Sequence, residues 1–367
     1  MTQEEDFLAL RREWNGLLEK SRVNRPFLQH EWVWAWWKAF GAGNSLHMLQ
    51  FEEAGRPVAF APLRVGLSSQ FGLTLQTLFF AANSHSNETG LVLSQENPNV
   101  YEKFIDYLEQ KGRSWDLIFL ELLDETDPFL GFIRKNARLR RFCWGTKPSI
   151  GSPVVDLPRS FEEYVNGLSK KSRYNVRKKR RKIEEIPGFE IRKYFDTRNL
   201  PDFWRHVEEI EKKSWKFKVG KDLLSRPEVK KFYRLLLRAM AAKGQFRGFV
   251  LFLYGKPAAY EMAFEYGKEL YSQKIAYDAA WASVSAGFVL KTEVIRWATE
   301  QGLARNHLLG DVEPWKLQLN GKLRPHLHLK IYSPSFRSHL VAKAEFEGIK
   351  KLGQIKRSLI EMKRVLL

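Results

Sequence analysis

The sequence lacks most of the features from which cofactor and targeting sites are commonly built. Among its 367 residues there is a single cysteine, Cys143, so the chain forms no intrachain disulfide and no zinc site made of thiolates. No stretch approaches the roughly 18 consecutive apolar residues of a membrane span. The acidic start at residues 1–6 lacks the basic and apolar parts of a signal peptide. We therefore expect a cytoplasmic protein whose chemistry needs no metal.

Acidic residues are scarce relative to basic ones. The chain has 61 lysines and arginines against 42 acidic residues, a formal net charge of +19, which exceeds what solubility needs and favours anionic partners. Residues 170–182 contain nine basic and no acidic side chains. Because Tyr174, Val176 and Ile183 are too sparse for a buried stripe, we expect an exposed or cleft-lining helix capped by Ser169. A tRNA or another polyanion is a partner that this charge favours.

Two parts of the chain repeat one order of predicted elements: strand, tight turn, strand, strand, helix, strand. The turns Gly55-Arg56-Pro57 and Gly255-Lys256-Pro257 are near copies, and each joins two apolar runs. Helices predicted at residues 101–111 and 287–301 follow the strands. The pattern predicts an α/β (α+β) protein with two related modules, each a mixed, mostly antiparallel sheet flanked by helices.

Chain length suggests how these modules divide the sequence. At about 150 residues per domain the chain holds two. We place an N-terminal module at residues 1–155, a C-terminal module at 156–335 with a basic helix at 169–186, and a basic amphipathic helix at 336–367. In this last segment apolar residues recur at steps of three and four, at Leu352, Ile355, Leu359, Met362 and Leu366. This helix would pack on the body, pair with another chain or make a peripheral contact with an anionic membrane.

A charged motif, residues 310–316, combines two carboxylates and a lysine within seven residues of the second module. Gly302 is typical of a helix end, and the apolar pair Leu308-Leu309 predicts the start of a strand. Pro314 keeps that strand from continuing as a central one. We therefore expect the charges of this motif to cluster at a strand end.

Together with four earlier segments, this motif resembles the C-terminal part of the acyltransferase family related to GCN5 N-acetyltransferases (GNAT). The similarity is to the branch first associated with bacterial cellulose and exopolysaccharide gene clusters, which also resembles the Fem peptidoglycan aminoacyltransferases. The matching segments, which lie in order, are Ser169–Lys178, Ser214–Lys216, Gly255–Ala259, Ala276–Asp278 and Gly310–Lys316. The resemblance implies tandem GNAT-like modules.

The resemblance also implies an activity. The protein would move an acyl group from acyl-CoA, such as acetyl-CoA, to an amine or hydroxyl of a saccharide or related polar acceptor, without a metal. In this fold, backbone amides of a loop that enters a helix hold the donor's pyrophosphate. The corresponding positions are Ser285, Ala286, Gly287 and Phe288. Only Gly287 remains of the family's glycine-rich loop, so an ordinary helix start is an equal interpretation.

Acyl transfer needs a polarised carbonyl and a base for the acceptor's proton. Asp311 is the first candidate, because a strand end beside Pro314 would leave it partly desolvated with a raised pKa. The alternative is a turn aspartate that caps its own backbone. Lys316 resembles a lysine that Fem-type enzymes place after their final strand, where it would stabilise negative charge. Asp278 and Glu261 are further catalytic candidates, although an acid within an apolar strand is either paired or functional.

Five residues are candidates for substrate binding. The aromatic face of Trp215 would stack on a sugar or base while Lys216 meets a phosphate, and ordinary core packing of Trp215 is the alternative. Tyr277, Arg173 and Arg177 complete the set.

Two other functions stay open: a Fem-like transferase that takes its acyl group from aminoacyl-tRNA, and a non-catalytic nucleic-acid-binding protein.

Overall fold

The computed structural model describes residues 2–111 and 114–346. They form two compact units. Unit 1 takes its described residues from Met1–Val23, Gly41–Ser149 and His326–Leu367, and unit 2 consists of Asn24–Phe40 and Ile150–Pro325. Neither unit is a continuous stretch of chain, unlike the ranges predicted from the sequence.

Helices and strands are numbered here in chain order. The helices are α1 (Glu4–Ala9), α2 (Arg11–Glu19), α3 (His30–Phe40), α4 (Pro98–Lys111), α5 (Pro128–Lys135), α6 (Phe161–Gly167), α7 (Lys170–Glu184), α8 (Leu200–Lys213), α9 (Trp215–Lys218), α10 (Pro227–Ala242), α11 (Ala286–Glu300) and α12 (Pro314–Leu317). The strands are β1 (Ser45–Glu53), β2 (Arg56–Gln70), β3 (Leu73–Phe80), β4 (Val92–Leu93), β5 (Leu117–Asp124), β6 (Cys143–Pro148), β7 (Ser152–Asp156), β8 (Glu190–Tyr194), β9 (Phe246–Leu253), β10 (Lys256–Tyr266), β11 (Glu269–Tyr277), β12 (Arg305–His307), β13 (Lys322–Arg324) and β14 (His326–Tyr332). Short 3-10 helices lie at Pro26–Leu28, Ala137–Arg141 and Ala279–Val284.

Each unit contains one mixed sheet. In unit 1 the strand order is β1-β2-β3-β5-β14-β6, with β4 paired to β2; in unit 2 it is β13-β7-β12-β11-β10-β9-β8. Neighbouring strands are antiparallel except for β3 with β5 and β11 with β12, which are parallel. A helix, α4 or α11, connects the two strands of each parallel pair, as a crossover connection requires. The predicted fold class, two mostly antiparallel mixed sheets flanked by helices, is confirmed.

The division of the chain reflects the return of the last strand, β14, to the sheet of unit 1. β6 and β7 are consecutive in sequence, yet β6 pairs in the sheet of unit 1 and β7 in that of unit 2. Likewise β13 pairs in unit 2 and β14 in unit 1. The strands β14 and β7 occupy equivalent places, since β14 lies between β5 and β6 while β7 lies between β12 and β13. The sheet of unit 1 is thus completed by β14, which follows all the strands of unit 2 in sequence, whereas the sheet of unit 2 consists of the consecutive strands β7–β13.

Two hairpin turns share the same left-handed backbone. Ala54 and Gly55 join β1 to β2 with φ of 48° and 71°, and Tyr254 and Gly255 join β9 to β10 with φ of 50° and 71°. Positive φ at both central residues is the mark of a type I′ turn, whose twist matches that of the flanking strands. The near-copy turn sequences thus encode the same geometry in both units.

The basic helix α7 buries only two of its apolar side chains in unit 2, and most of its other residues are exposed or half-buried, as expected for an exposed or cleft-lining helix. Ser172, Val176 and Ile183 are buried, and they recur at the spacing of one helix face. The predicted cap is present, since Ser169 Oγ accepts a hydrogen bond from Ser172 N at 3.2 Å.

The C-terminal part of the chain is only partly described. Residues 336–346 are helical, whereas Leu352, Ile355, Leu359, Met362 and Leu366 lie outside the described residues. The amphipathic helix and its contact with a membrane therefore stay predictions. Within the described part of the chain, no helix has the length and apolar character needed to cross a membrane.

Candidate functional site

A cavity of about 250 Å³ lies in unit 2 where the start of α11 meets the end of β11. Further walls come from the basic helix α7, from α9 and from the charged motif at residues 310–316. Six of the predicted site residues line it: Trp215, Lys216, Tyr277, Ser285, Gly287 and Phe288. Three other lining side chains, Lys179, Glu313 and Trp315, were not predicted as site residues.

The N-terminus of α11 forms one wall of the cavity. Ser285 adopts a left-handed conformation with φ of 58° and leads the chain from the 3-10 helix into α11. The first backbone amides of a helix have no partner within it, so this turn offers donors and a positive dipole to an anion. Gly287 packs on Tyr277: an added Cβ would lie 2.9 Å from Tyr277 Cδ1. Glycine is therefore required here by the close approach of the ring.

Lys179 brings a positive charge from α7 to the same place. Its Nζ lies 4.1 Å from the centre of the Phe288 ring, and burial lowers the pKa of the Lys179 ammonium. Lys182, one turn further along α7, donates to the carbonyl oxygen of Ser283 at 3.1 Å. The helical spacing from Val176 to Lys179 and Ile183 was the signal that places this lysine on the inward face.

The charged motif departs from the predicted strand end. β12 ends at His307, and Leu309 and Gly310 have φ of 49° and 61°, so the chain leaves the sheet before the predicted strand at Leu308-Leu309. Pro314 begins the short helix α12, where its fixed φ suits the first turn. The expectation that Pro314 limits a strand was therefore wrong.

Lys316 holds this loop together. Its buried ammonium donates to the carbonyl oxygen of Asp311 at 2.7 Å and to that of Leu309, and it lies 3.4 Å from Glu313 Oε2. Burial lowers the pKa of Lys316, while the Glu313 carboxylate acts in the opposite direction. These contacts fix the backbone that carries both carboxylates of the motif.

Of those carboxylates, Glu313 rather than Asp311 lines the cavity. Asp311 and Glu313 are both exposed, so the predicted partial desolvation of Asp311 was wrong, because the left-handed turn at Leu309-Gly310 directs the chain away from the sheet. Glu313 Oε2 accepts a hydrogen bond from Trp315 Nε1 at 3.1 Å. A carboxylate that faces a cavity beside an aromatic ring can accept a proton from a bound amine or hydroxyl.

Trp215 and Lys216 begin α9 on another wall. Trp215 keeps 45% of its surface exposed, so it is not a core tryptophan. Lys216 Nζ donates to the carbonyl oxygen of Ile275 at 2.6 Å. Burial lowers the pKa of Lys216, and the nearby Glu211 carboxylate partly offsets this effect. One carbonyl leaves two of the three ammonium protons for an anionic group of a ligand.

Positive charge accumulates behind this wall. Burial, followed by the neighbouring Lys216, lowers the pKa of Lys274 to about 8. The counter-charge is Glu211, whose own pKa is raised by burial and whose carboxylate accepts a hydrogen bond from the Tyr260 hydroxyl. The charge of Lys216 also contributes to the lowered pKa of Lys316. Such a potential fits a phosphate or carboxylate group.

The remaining predicted residues lie outside the cavity lining. Glu261 is completely buried and forms an ion pair of 2.7 Å with Lys291, the paired outcome of the two that the sequence left open. Asp278 is buried and caps the 3-10 helix, with its carboxylate accepting from Ala280 N at 2.9 Å. Arg173 is half-buried and Arg177 exposed on α7. Ala286 is buried in the first turn of α11.

A separate group of side chains in unit 1 offers metal-ligating atoms. Glu88, Asp124 and His326 are buried, and one ligand atom from each lies within 4.8 Å of the others. Burial raises the pKa of the adjacent Asp127 to about 7, and Glu88 and Asp124 add to this rise. Oxygen and imidazole ligands suit several divalent cations. The three residues come from distant segments, so sequence spacing gave no signal of their approach.

Comparisons with known proteins agree with the architecture. Residues 170–317 match the family described as "Acetyltransferase (GNAT) domain". The structure of FemX has a TM-score of 0.58 at 11% identity, covering 87% of this chain and 95% of that chain. The C-terminal domain of a putative lysylphosphatidylglycerol synthetase from Agrobacterium fabrum gives 0.52 at 12% identity, with coverages of 86% and 90%. L-PGS from Bacillus licheniformis gives 0.53 at 12% identity, with coverages of 94% and 96%. No curated protein matches the chain.

Residues 170–317 thus match the GNAT acetyltransferase domain, and the chain shares its overall fold with these solved structures. Every lining residue of the cavity named above falls within this range. At identities of 11% and 12% the similar structures show the fold alone. The predicted superfamily is supported, whereas the cellulose and exopolysaccharide branch stays a prediction.

Proposed function

We propose that the protein is an acyltransferase whose cavity in unit 2 holds an acyl donor next to an acceptor amine or hydroxyl. One observation carries this proposal: the first turn of α11 and the Glu313 carboxylate line the same cavity. A helix N-terminus favours a bound phosphate, and a carboxylate can take the acceptor's proton. These are the two requirements of acyl transfer from a phosphate-bearing donor.

The donor in this proposal is acyl-CoA. Its pyrophosphate would meet the amides at Ser285–Phe288 and the ammonium of Lys179, whose charge lies beside this turn. A charge-assisted hydrogen bond from a half-buried lysine strengthens such binding. Neither the length of the acyl chain nor a metal enters the proposal.

The acceptor in this proposal is a saccharide or a related polar molecule. Trp215 and Trp315 offer aromatic faces at the cavity, and Lys216 offers ammonium protons to an anionic substituent. Glu313 would remove the proton from the attacking nitrogen or oxygen as the new bond to the acyl carbon forms. The carbon–sulfur bond of the thioester then breaks, and the leaving thiolate takes up the proton that Glu313 removed from the acceptor. Lys316 acts on this step by holding the loop that carries Glu313.

An aminoacyl-tRNA donor is the second candidate. It is favoured by the charge of α7, which presents exposed side chains such as Arg177 and Lys178 in a helix without an acid before Glu184. This donor would use the same carboxylate but would bind with a steep salt dependence, because it displaces many counterions. A non-catalytic nucleic-acid-binding protein would share the salt dependence without any need for Glu313.

The test is a transfer assay with matched carboxylate variants. Thiol release from acetyl-CoA is measured with a panel of amino sugars for the native chain, Glu313→Gln and Asp311→Asn. We expect Glu313→Gln to lower kcat by about 100-fold or more, since that is the usual contribution of a general base. Asp311→Asn, an equally small change in the same loop, should alter kcat by no more than about threefold.

Other outcomes would identify a different base, a different donor or a different reaction site. Loss of turnover in Asp311→Asn alone would return the role of base to the residue predicted from sequence. Transfer from aminoacyl-tRNA but not from any acyl-CoA would establish the second candidate. Full activity in both variants would contradict the proposal that this cavity is the reaction site.

A further inference from the structure

Ten residues beside the cavity combine exposed apolar side chains with lysines. The stretch Lys212–Lys221, called the rim segment here, contains five lysines and no acidic residue. Trp215, Phe217 and Val219 expose 45%, 44% and 55% of their surfaces, and no residue of α9 is buried. Exposed large side chains that cluster in this way usually mark an interaction surface.

The backbone of the rim segment is ordered by its own hydrogen bonds. The amides of Val219 and Lys221 both donate to the carbonyl oxygen of Lys216, at 3.2 and 3.0 Å, and that of Gly220 donates to Phe217 O at 3.3 Å. Gly220 closes this turn with φ of 64°. The apolar side chains are therefore held outward by a defined turn rather than drawn into the core.

The charged motif adds apolar surface on another side of the cavity. Val312 and Leu317 expose 40% and 52% of their surfaces, and they flank Glu313 and Trp315, which line the cavity. Exposed aliphatic and aromatic groups thus come from two segments that both contribute lining residues to the same cavity.

The chemistry of these groups distinguishes among partners. Lysines and aromatic faces would strengthen binding to RNA, whereas aliphatic side chains such as Val219, Val312 and Leu317 would add little to it. All three kinds of side chain would strengthen binding to an anionic lipid surface. Apolar side chains enter the boundary between headgroups and acyl chains, while lysines contact the phosphates. Lys218 and Lys221 are exposed, and lysine stems are long enough to reach headgroups from beside a buried ring.

We propose that the rim segment docks the protein on an anionic lipid surface. The cavity then opens at the membrane, where an acceptor or an acyl chain carried by a lipid can reach it. The inference goes beyond acyl transfer, because docking needs neither donor nor turnover. It is also separate from the predicted C-terminal helix, since it rests on residues 212–221 and their neighbours at 312 and 317.

Vesicle flotation of the full chain tests the docking surface. Binding is compared between vesicles of phosphatidylcholine alone and vesicles that also contain phosphatidylglycerol. We expect the native chain to float with the anionic vesicles only, and Phe217→Ser/Val219→Ser and Lys218→Glu/Lys221→Glu each to bind about tenfold more weakly. Neither pair lines the cavity, and circular dichroism checks that both variants fold.

Two control variants have the same types of substitution at exposed positions outside the rim segment. Leu67→Ser/Phe336→Ser removes two side chains that expose 74% and 86% of their surfaces in unit 1, and Lys20→Glu/Lys135→Glu makes an equal change of charge at exposed positions. Both controls should bind within about twofold of the native chain.

Three results would overturn the proposal. The first is no binding of the native chain to anionic vesicles. The second is loss of binding in Leu359→Ser/Met362→Ser with both rim variants unaffected, which assigns the contact to the C-terminal segment. The third is binding of tRNA that the rim variants lose, without any binding of vesicles.

Discussion

Lys274 carries a positive charge at neutral pH in surroundings that disfavour its ammonium form. It is half-buried on β11, with its Nζ 5.6 Å from the centre of the Tyr233 ring. Burial and then the nearby Lys216 lower its pKa from 10.5 to about 8. At neutral pH the folded protein therefore carries this ammonium at a cost, and an anionic ligand of the cavity would reduce that cost.

The shift predicts a dependence of stability on pH. Between pH 8 and 10.5 the unfolded chain holds a proton on Lys274 that the folded chain has released, so the free energy of unfolding contributed by this group rises with pH across that window. Lys274→Met should raise the free energy of unfolding at pH 7 by about 1–3 kcal/mol and remove that rise. Urea unfolding at pH 7 and pH 9.5 measures both effects.

The control for this prediction is Lys256→Met, a change at an exposed position of the same sheet. It should leave the difference in stability between the two pH values as it is in the native chain. If Lys274→Met keeps the native difference as well, burial does not perturb this lysine as described.

The choice of carboxylate in the charged motif shows what sequence alone can resolve at this scale. The motif at residues 310–316 was found from its charges, and it does contribute to the cavity. Asp311 was preferred because a strand end beside Pro314 was expected to leave its carboxylate partly desolvated. The left-handed conformations of Leu309 and Gly310 reverse that preference, and a positive φ at a leucine has no clear sequence signal.

At the scale of elements, a buried ion pair joins α11 to β10. Lys291 Nζ lies 2.7 Å from Glu261 Oε1, with the two side chains 1% and 0% exposed, and it also donates to Ser272 Oγ. The pair places the helix over the sheet, and the first turn of the same helix forms a wall of the cavity. Charges this deep are stable only while both partners are present.

Breaking the pair should therefore be costly. Lys291→Met leaves the Glu261 carboxylate buried without its cation, and we expect a loss of about 3–5 kcal/mol in the free energy of unfolding. The double variant Glu261→Gln/Lys291→Met removes both charges and should lose markedly less, which a double-mutant cycle in urea quantifies. An equal loss in the single and the double variant would show that shape rather than charge pairing matters here.

Most elements were predictable because their signals are local. The hairpins around Gly55 and Gly255 and the helix that became α11 follow from turn residues and periodicity. The pairing of β14 with β5 and β6 was not predictable, since the partner of a strand depends on contacts far away in sequence and not on its own residues. The short helix α12 was also missed, because Pro314 suits both a strand edge and a helix start.

At the scale of the whole molecule, the duplicated order of elements indicated two related sheets, and both are present. Six of the predicted site residues share one cavity, although they come from three separate segments of the sequence. Lys179 was missed because the lysines of the basic run were treated alike, although the spacing of Lys179 from Val176 and Ile183 was a signal for its place on the inward face of α7. The net charge of +19 fits either a phosphate-bearing donor or an anionic surface.

Donor binding tests the account most directly, by calorimetry of acetyl-CoA and longer acyl-CoAs at two salt concentrations. The native chain is compared with Lys179→Ala, which removes the ammonium at the start of α11, and with Lys178→Ala, which removes an exposed lysine from the same helix. We predict saturable binding that Lys179→Ala weakens by about tenfold and Lys178→Ala leaves unchanged. No binding of any acyl-CoA, or equal weakening in the two variants, would contradict a donor site in this cavity.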